Sequence, residues 1–175
     1  LTLSGAKNII GFNHHGVIHN SMKSEDSMQQ WFIDNSNPHN FIGTMPEALV
    51  SADVFIGVSA PNILKEADIA TMAKDSIIFA LANPDPEIDP IVARKYATVV
   101  ATGRSDQPNQ INNVLAFPGI FRGLLDANAH KITDQLLVAA AEAIADCVSP
   151  EQLNASFIVP GVFDPNVTKA VAAAV

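Results

Sequence analysis

Apolar residues in this chain gather into short unbroken runs, separated by polar or proline-marked turns. VFIGVSA (54–60) is bounded by Asp53 and Pro61, and SIIFALA (76–82) stops at Asn83-Pro84-Asp85-Pro86. TVVAT (98–102) stops at Gly103, and NIIGF (8–12) runs into Asn13-His14-His15-Gly16. None of the four alternates apolar with polar positions. Strands of that kind are buried on both faces, which predicts a parallel sheet covered by helices. Helical segments fall between the runs. Thr44-Met45-Pro46-Glu47 has the form of a capping box and predicts a short helix over PEALVSA. ILKEADIATMA reads as a helix, and Asp89-Pro90 caps another that ends near Tyr96. With right-handed crossovers the result is an α/β fold, a Rossmann-like doubly wound parallel sheet.

The last third of the chain changes character. Residues 110–130 and 133–148 read as helices, and Ser149-Pro150-Glu151-Gln152 has a second capping-box form. Asp164-Pro165 starts a last helix, NVTKAVAAAV. These are helices added beyond the sheet. The stretch 20–40 has little periodicity.

Composition narrows the picture. A chain of 175 residues suits one domain, and 48% apolar against 16% charged residues means a globular one. The net charge is −8 and the ten Lys and Arg are scattered. Nucleic-acid binding is not expected, because phosphate neutralisation needs a cationic face. The single cysteine, Cys147, lies in an apolar run and reads as a small buried side chain. No run reaches the roughly 20 apolar residues of a membrane span. A soluble, cytoplasmic chain is expected.

In open parallel sheets, ligands sit at the carboxyl ends of the strands. Small residues and amides follow each run here. The densest stretch is ATGRSDQPNQINNVLAFPG (101–119), with three Asn and two Gln. Asn83 is either a turn residue before proline or a donor to an anion, since an amide donates without adding charge. Asn112 and Asn113 are adjacent, so on a helix start they point about 100° apart and at most one faces a given ligand squarely. Asn109 is the better cap candidate, because it precedes the apolar periodic run. Ser59 and Ala60 are small enough for close approach of a ligand to the backbone, or simply form a strand-to-helix turn. Arg104 and Asp106 are expected to pair with each other. His19, His39 and His130 lack the spacing of a metal site.

Three segments, in this order and spacing, resemble the cofactor-binding domain of bacterial malic enzymes. They are ADVFIGVSAPNIL (52–64), IIFALANPDPEI (77–88) and VVATGRSDQPNQINNVLAFPGIFRGLLDANA (99–129). The likeness covers nearly the whole chain and is weakest over 20–45. It implies a single NAD(P)-binding domain over 1–175, lacking its first strand and glycine-rich turn, from an enzyme that converts malate to pyruvate and CO2. NAD, or NADP, is the implied cofactor, with Mg or Mn in the intact enzyme and a homodimer or larger assembly.

By the same resemblance, Asn83 and Asn113 bind the malate carboxylate, and Asn112 lies nearer the nicotinamide ribose. Asn13, Ser59, Ala60, Asn83 and Asn112 line the cofactor site. The family's catalytic Tyr and Lys and its acidic metal ligands find no counterpart here. Asn13 stands where the family carries Asp for the adenosine ribose. A charge that would repel a 2′-phosphate is absent, and no Arg replaces it. Three other readings stay open: a malolactic or oxaloacetate-decarboxylating relative, a non-catalytic Rossmann-like interaction module, and an amino-acid dehydrogenase, which lacks support from TGRSD and NNVLAFPG.

Overall fold

Three of the apolar runs become parallel strands, and they define the first half of the molecule. The computed structural model describes residues 1–175. Its elements begin with a hairpin, β1 Phe12–Asn13 and β2 Gly16–Val17, then helices α1 Ser27–Asn35 and α2 Met45–Leu49. Strand β3 Val54–Gly57, helix α3 Glu66–Ile69, strand β4 Ile77–Ala80, helix α4 Pro90–Ala93 and strand β5 Val99–Thr102 follow in alternation. The sheet order is β3-β4-β5, all parallel. This βαβαβ order is that of a Rossmann-like α/β fold.

The local signals behave as chemistry requires. The Thr44 N–H donates to Glu47 Oε2 at 2.7 Å, closing the expected box at the start of α2. Asp89 Oδ1 accepts the Ile91 N–H at 2.7 Å and caps α4. Asp164 accepts the Asn166 N–H at 2.9 Å and so caps the last helix, Pro165–Ala174. No helix is long and apolar enough to cross a membrane.

The sheet is layered unequally. Phe55, Ile78 and Val100 are register partners and share one face. That face packs against Leu49, Leu64, Ile69 and Ala93 from the connecting helices and turns. On the other face Ala101 is fully buried, while Val54 and Ile56 are 48% and 42% exposed. The expectation of burial on both faces therefore holds at β5 and fails at β3. An apolar run reports what a strand is suited to meet. Helices α2 to α4 supply that partner on one side only.

NIIGF is not a fourth strand of this sheet. Asn8 takes a left-handed backbone conformation at φ 54°. The Ile9 carbonyl accepts the Asn37 N–H at 2.6 Å and the Gly11 carbonyl accepts the Ile18 N–H at 2.8 Å. Two carbonyls of the run are thus taken up by Ile18 and by the more distant Asn37, and only Phe12–Asn13 pairs, antiparallel with Gly16–Val17. Asn37 organises this region. Its buried amide donates to the Ile18 and Phe41 carbonyls at 3.1 and 2.8 Å and accepts the Phe41 N–H at 2.7 Å.

The added helices form a second core. A 3-10 turn at Asn113–Leu115 leads into α5 Phe117–Asp126, then α6 Asp134–Asp146 and α7 Pro165–Ala174. Ile120, Leu136, Ala140, Val167 and Val171 close this core. Two expectations change here. The helix predicted from residue 110 starts later, because Gln110 and Ile111 continue beside β5, with the Ile111 N–H on the Thr102 carbonyl at 2.8 Å. The Ser149 box forms its return bond, Ser149 N–H to Gln152 Oε1 at 3.2 Å, yet only a turn follows. Cys147 is half-buried and donates to the Ala143 carbonyl, and burial pushes its thiol pKa up.

Helices α5 and α7 approach so closely that α5 needs glycine. A Cβ at Gly119 would meet Val171 Cβ at 2.5 Å, and one at Gly123 would meet the Ala172 carbonyl oxygen at 2.7 Å. Alanine normally stabilises a helix interior by about 1 kcal/mol over glycine. Here overpacking dominates, at about 1–3 kcal/mol. Gly119→Ala is expected to lower the stability of the domain. A urea melt that showed it equal to or above the parent would refute the close-packing account.

Candidate functional site

Parallel register sets the site's position. Gly57 pairs with Ala80, and Ala80 pairs with Thr102. The three strands therefore end level, and the turns that follow them share one edge. Ser59 and Ala60 lie just past β3, Asn83 just past β4 and Gly103 just past β5. Ser59, Ala60 and Asn83 are all exposed on that edge. The Asn83–Pro84 peptide is cis.

The amide-rich stretch divides by task. Asn109 is 6% exposed and takes a left-handed conformation at φ 57°. Its Nδ2 donates to the Val100 carbonyl at 3.1 Å and the Ala155 carbonyl at 2.8 Å. Its Oδ1 accepts the Ile158 N–H at 2.9 Å. Asn109 is therefore not the helix cap expected from sequence. It staples β5 to the loop before α7, using three of its four hydrogen-bonding positions. The cap is Asn112, whose Oδ1 accepts the Val114 N–H at 3.0 Å. Gln110 Nε2 reaches the Gly103 carbonyl at 3.3 Å. Asn113 follows the cap, exposed on the 3-10 turn and outside this network. Replacing Asn109 with Ala would leave the buried Val100 carbonyl and the part-buried Ala155 carbonyl and Ile158 N–H without this partner, which costs about 1–3 kcal/mol. A chemical melt of Asn109→Ala with a loss below about 0.5 kcal/mol would remove it as the staple.

Arg104 and Asp106 form the expected pair. Arg104 Nε and Nη2 donate to the two Asp106 carboxylate oxygens at 2.8 and 2.7 Å, a planar fork. The guanidinium hydrogen bonds lower the Asp106 pKa from 3.8 to about 2. A depressed folded-state pKa adds stability above the unfolded value, and that share is lost as pH falls from 3.8 toward 2. Carboxyl NMR should show Asp106 titrating near 2, moving back toward 3.8 in Arg104→Ala. An unmoved titration in that variant would break the assignment.

Two concavities flank the edge. One of about 570 Å³ is lined by Gln110, Asn112, Phe157, Pro160 and Phe163 among others. The other, about 220 Å³, lies between Asn62, Asp85, Asp89 and Arg104. Neither takes in Ser59, Asn83 or Asn113, which stand on the open rim. Asn13 lies apart from the three-stranded sheet, in the β1–β2 hairpin, where its Oδ1 accepts the His15 N–H at 2.9 Å. The structure thus gathers Ser59, Ala60 and Asn83 on one sheet edge and puts Asn112 and Asn113 on the turn that leaves it. Asn13 sits on a separate element. No three His, Cys, Asp or Glu side chains come close enough together to hold a metal ion, and no step is assigned to one in this chain.

Sequence reading missed one residue at this edge. Glu87 is fully buried. Its Oε1 accepts the Ser59 N–H at 2.9 Å and its Oε2 accepts the Ala82 N–H at 3.0 Å. The side chain fills the hollow beside Gly57, where a Cβ would collide with the Glu87 carboxyl group. The available signal was a lone acid between Pro86 and Ile88 in a segment otherwise built to be buried.

The sequence matches the family described as "Malic enzyme, NAD binding domain" over residues 3–175. It is 51% identical over 175 residues to an NAD-dependent malic enzyme of Geobacillus stearothermophilus, covering all of this chain and 37% of that protein. It is 55% identical over 134 residues to a bifunctional malic/malolactic enzyme of Bacillus subtilis, covering 76% of this chain and 33% of that one. The solved NAD-dependent malic enzyme of Thermotoga maritima superposes with a TM-score of 0.90 at 41% identity, over 99% of this chain and 46% of that one. Other relatives are named NADP-dependent malic enzymes. The chain spans less than half the length of the Geobacillus, Bacillus and Thermotoga proteins.

Proposed function

The chain belongs to the family of malic enzyme NAD-binding domains, and from that premise we propose that its parent enzyme oxidises malate with NAD and releases pyruvate and CO2. The observation that carries the reading is the level edge of β3, β4 and β5, with small residues after one strand and an exposed amide after the next. A bound nicotinamide would accept the hydride from C2 of malate, and the carboxyl group at C4 would then leave as CO2. The bound dinucleotide supplies the hydride acceptor.

The chain's own residues bind and orient. Ser59 and Ala60 present a turn with little side-chain bulk, against which a dinucleotide can lie close. Asn83 and Asn113 donate N–H to the malate carboxylate, and Asn112 borders the nicotinamide ribose. Asn112 uses its oxygen as a cap, so its Nδ2 is the group left for a ligand. Asn13 takes the adenosine ribose. Its Oδ1 holds the hairpin turn, which leaves Nδ2 as a neutral donor. A neutral side chain here is compatible with a 2′-phosphate, and NADP-dependent relatives share the fold's sequence. NAD is the first reading and NADP the second. The reading extends to Mg or Mn in the parent, to a homodimer or larger assembly, and to the cytoplasm.

A malolactic reaction is the alternative that a specific observation favours, because one close relative is named for both activities. Product analysis separates them. The parent enzyme is given malate and Mn with NAD, then NADP. Pyruvate with reduced cofactor is expected, while lactate as the product would favour the alternative. Failure to reduce either nucleotide would sink the proposal. Asn113→Ala should lower kcat/KM for malate by about 10- to 100-fold, the loss of a hydrogen bond to a charged group. An unchanged value would remove Asn113 from the site.

A further inference from the structure

Glu87 links the two turns that the proposed site depends on. Its carboxyl group spans from the end of β3 to the end of β4, bonded to the Ser59 N–H on one side and the Ala82 N–H on the other. Neither N–H takes part in the strand ladder, which ends at the Leu81 N–H on the Gly57 carbonyl. The backbone around Glu87 adds two further ties. The Asn62 N–H donates to the Pro86 carbonyl at 3.1 Å, and the Leu64 N–H donates to the Glu87 carbonyl at 3.0 Å.

The consequence is directional. Both N–H groups are turned inward to Glu87, so both peptide planes are fixed. Ala60 and Asn83, the residues that follow them, are exposed. A residue without side-chain bulk is required at position 57, because the Glu87 carboxyl group occupies the space a Cβ would need. No cation stands within salt-bridge distance of Glu87. Its partners at the site are backbone donors, a pattern that fixes main-chain geometry and offers no charge to a ligand.

We propose that Glu87 is a positioning residue for the dinucleotide: it clips the Ser59–Ala60 turn to the Asn83 turn so that the two meet the cofactor as one preformed surface. The proposal rests on the malic enzyme reading above. Glu87→Gln preserves volume but replaces one acceptor oxygen with an NH2 that faces an N–H donor.

The test uses the intact parent enzyme. NAD binding is read directly by calorimetry, without malate, alongside steady-state constants. Glu87→Gln is expected to weaken NAD binding and raise the NAD KM by about tenfold, with kcat within about threefold, as a displaced binding surface would. A variant with a lower melting temperature but an unchanged NAD dissociation constant would overturn the role. If the variant does not fold, hydrogen exchange on the unmodified enzyme decides. Ser59 and Ala82 N–H should be protected and should slow further when NAD binds. Fast exchange at either, or no response to NAD, would overturn the clip. An enzyme that binds NAD but leaves malate intact would fail the functional reading and leave this one standing.

Discussion

A parallel ladder has to stop, and the backbone groups at its end lose their partners. Buried N–H and C=O groups without partners are costly, so the chain must answer them with something else. At the carboxyl edge of β3-β4-β5 it does so with side chains. Glu87 takes the N–H groups of Ser59 and Ala82. The Thr102 hydroxyl accepts the Arg104 N–H at 3.2 Å. Within β5, away from its end, Asn109 takes the Val100 carbonyl. These residues cannot be read as ligand binders, since their polar atoms are committed to the protein itself. What remains outward is Asn83 on the edge and Asn113 on the turn that leaves it, both exposed.

The same device joins the two cores. The sheet core and the helical core share no hydrophobic cluster. Asn109 crosses between them, bonding β5 on one side and Ala155 and Ile158 on the other. The helical core, in turn, reaches its density through glycine at the α5–α7 contact. The 3-10 turn carrying Asn113 sits between these constraints. Asn112 caps it and Leu115 anchors it in the second core. Position and orientation of the candidate substrate ligand are thus inherited from packing on both sides.

Much of this was legible in the sequence where one local rule governs the outcome. The apolar runs at 54–60, 76–82 and 98–102 marked the sheet, and Thr44, Asp89 and Asp164 marked helix starts, because run length and capping are short-range effects. The Arg104–Asp106 pair was equally local. The misreadings came where a distant segment decides. NIIGF has a strand's composition, but bonds from Ile18 and Asn37 claim its carbonyls. Asn109 sits where a cap belongs, yet its partners lie 46 and 49 residues away for Ala155 and Ile158. Glu87 could be noticed as an acid in an apolar setting, but its partners at positions 59 and 82 come only from the fold.

Charge at the edge also follows from these commitments. The chain carries a net charge of −8, and a dicarboxylate would meet an unfavourable field at long range. Arg104 offers no relief, because its guanidinium is forked onto Asp106 and lies in the field of Asp85 and Asp89. Under the proposed function, recognition by this domain therefore falls to neutral amide donors. Such donors orient a carboxylate without adding a charge that must be desolvated when the site is empty. Their strength depends on being held still, since a neutral hydrogen bond tolerates little misalignment. That requirement is why a buried carboxyl group clipping two turns together matters more here than another exposed cation would.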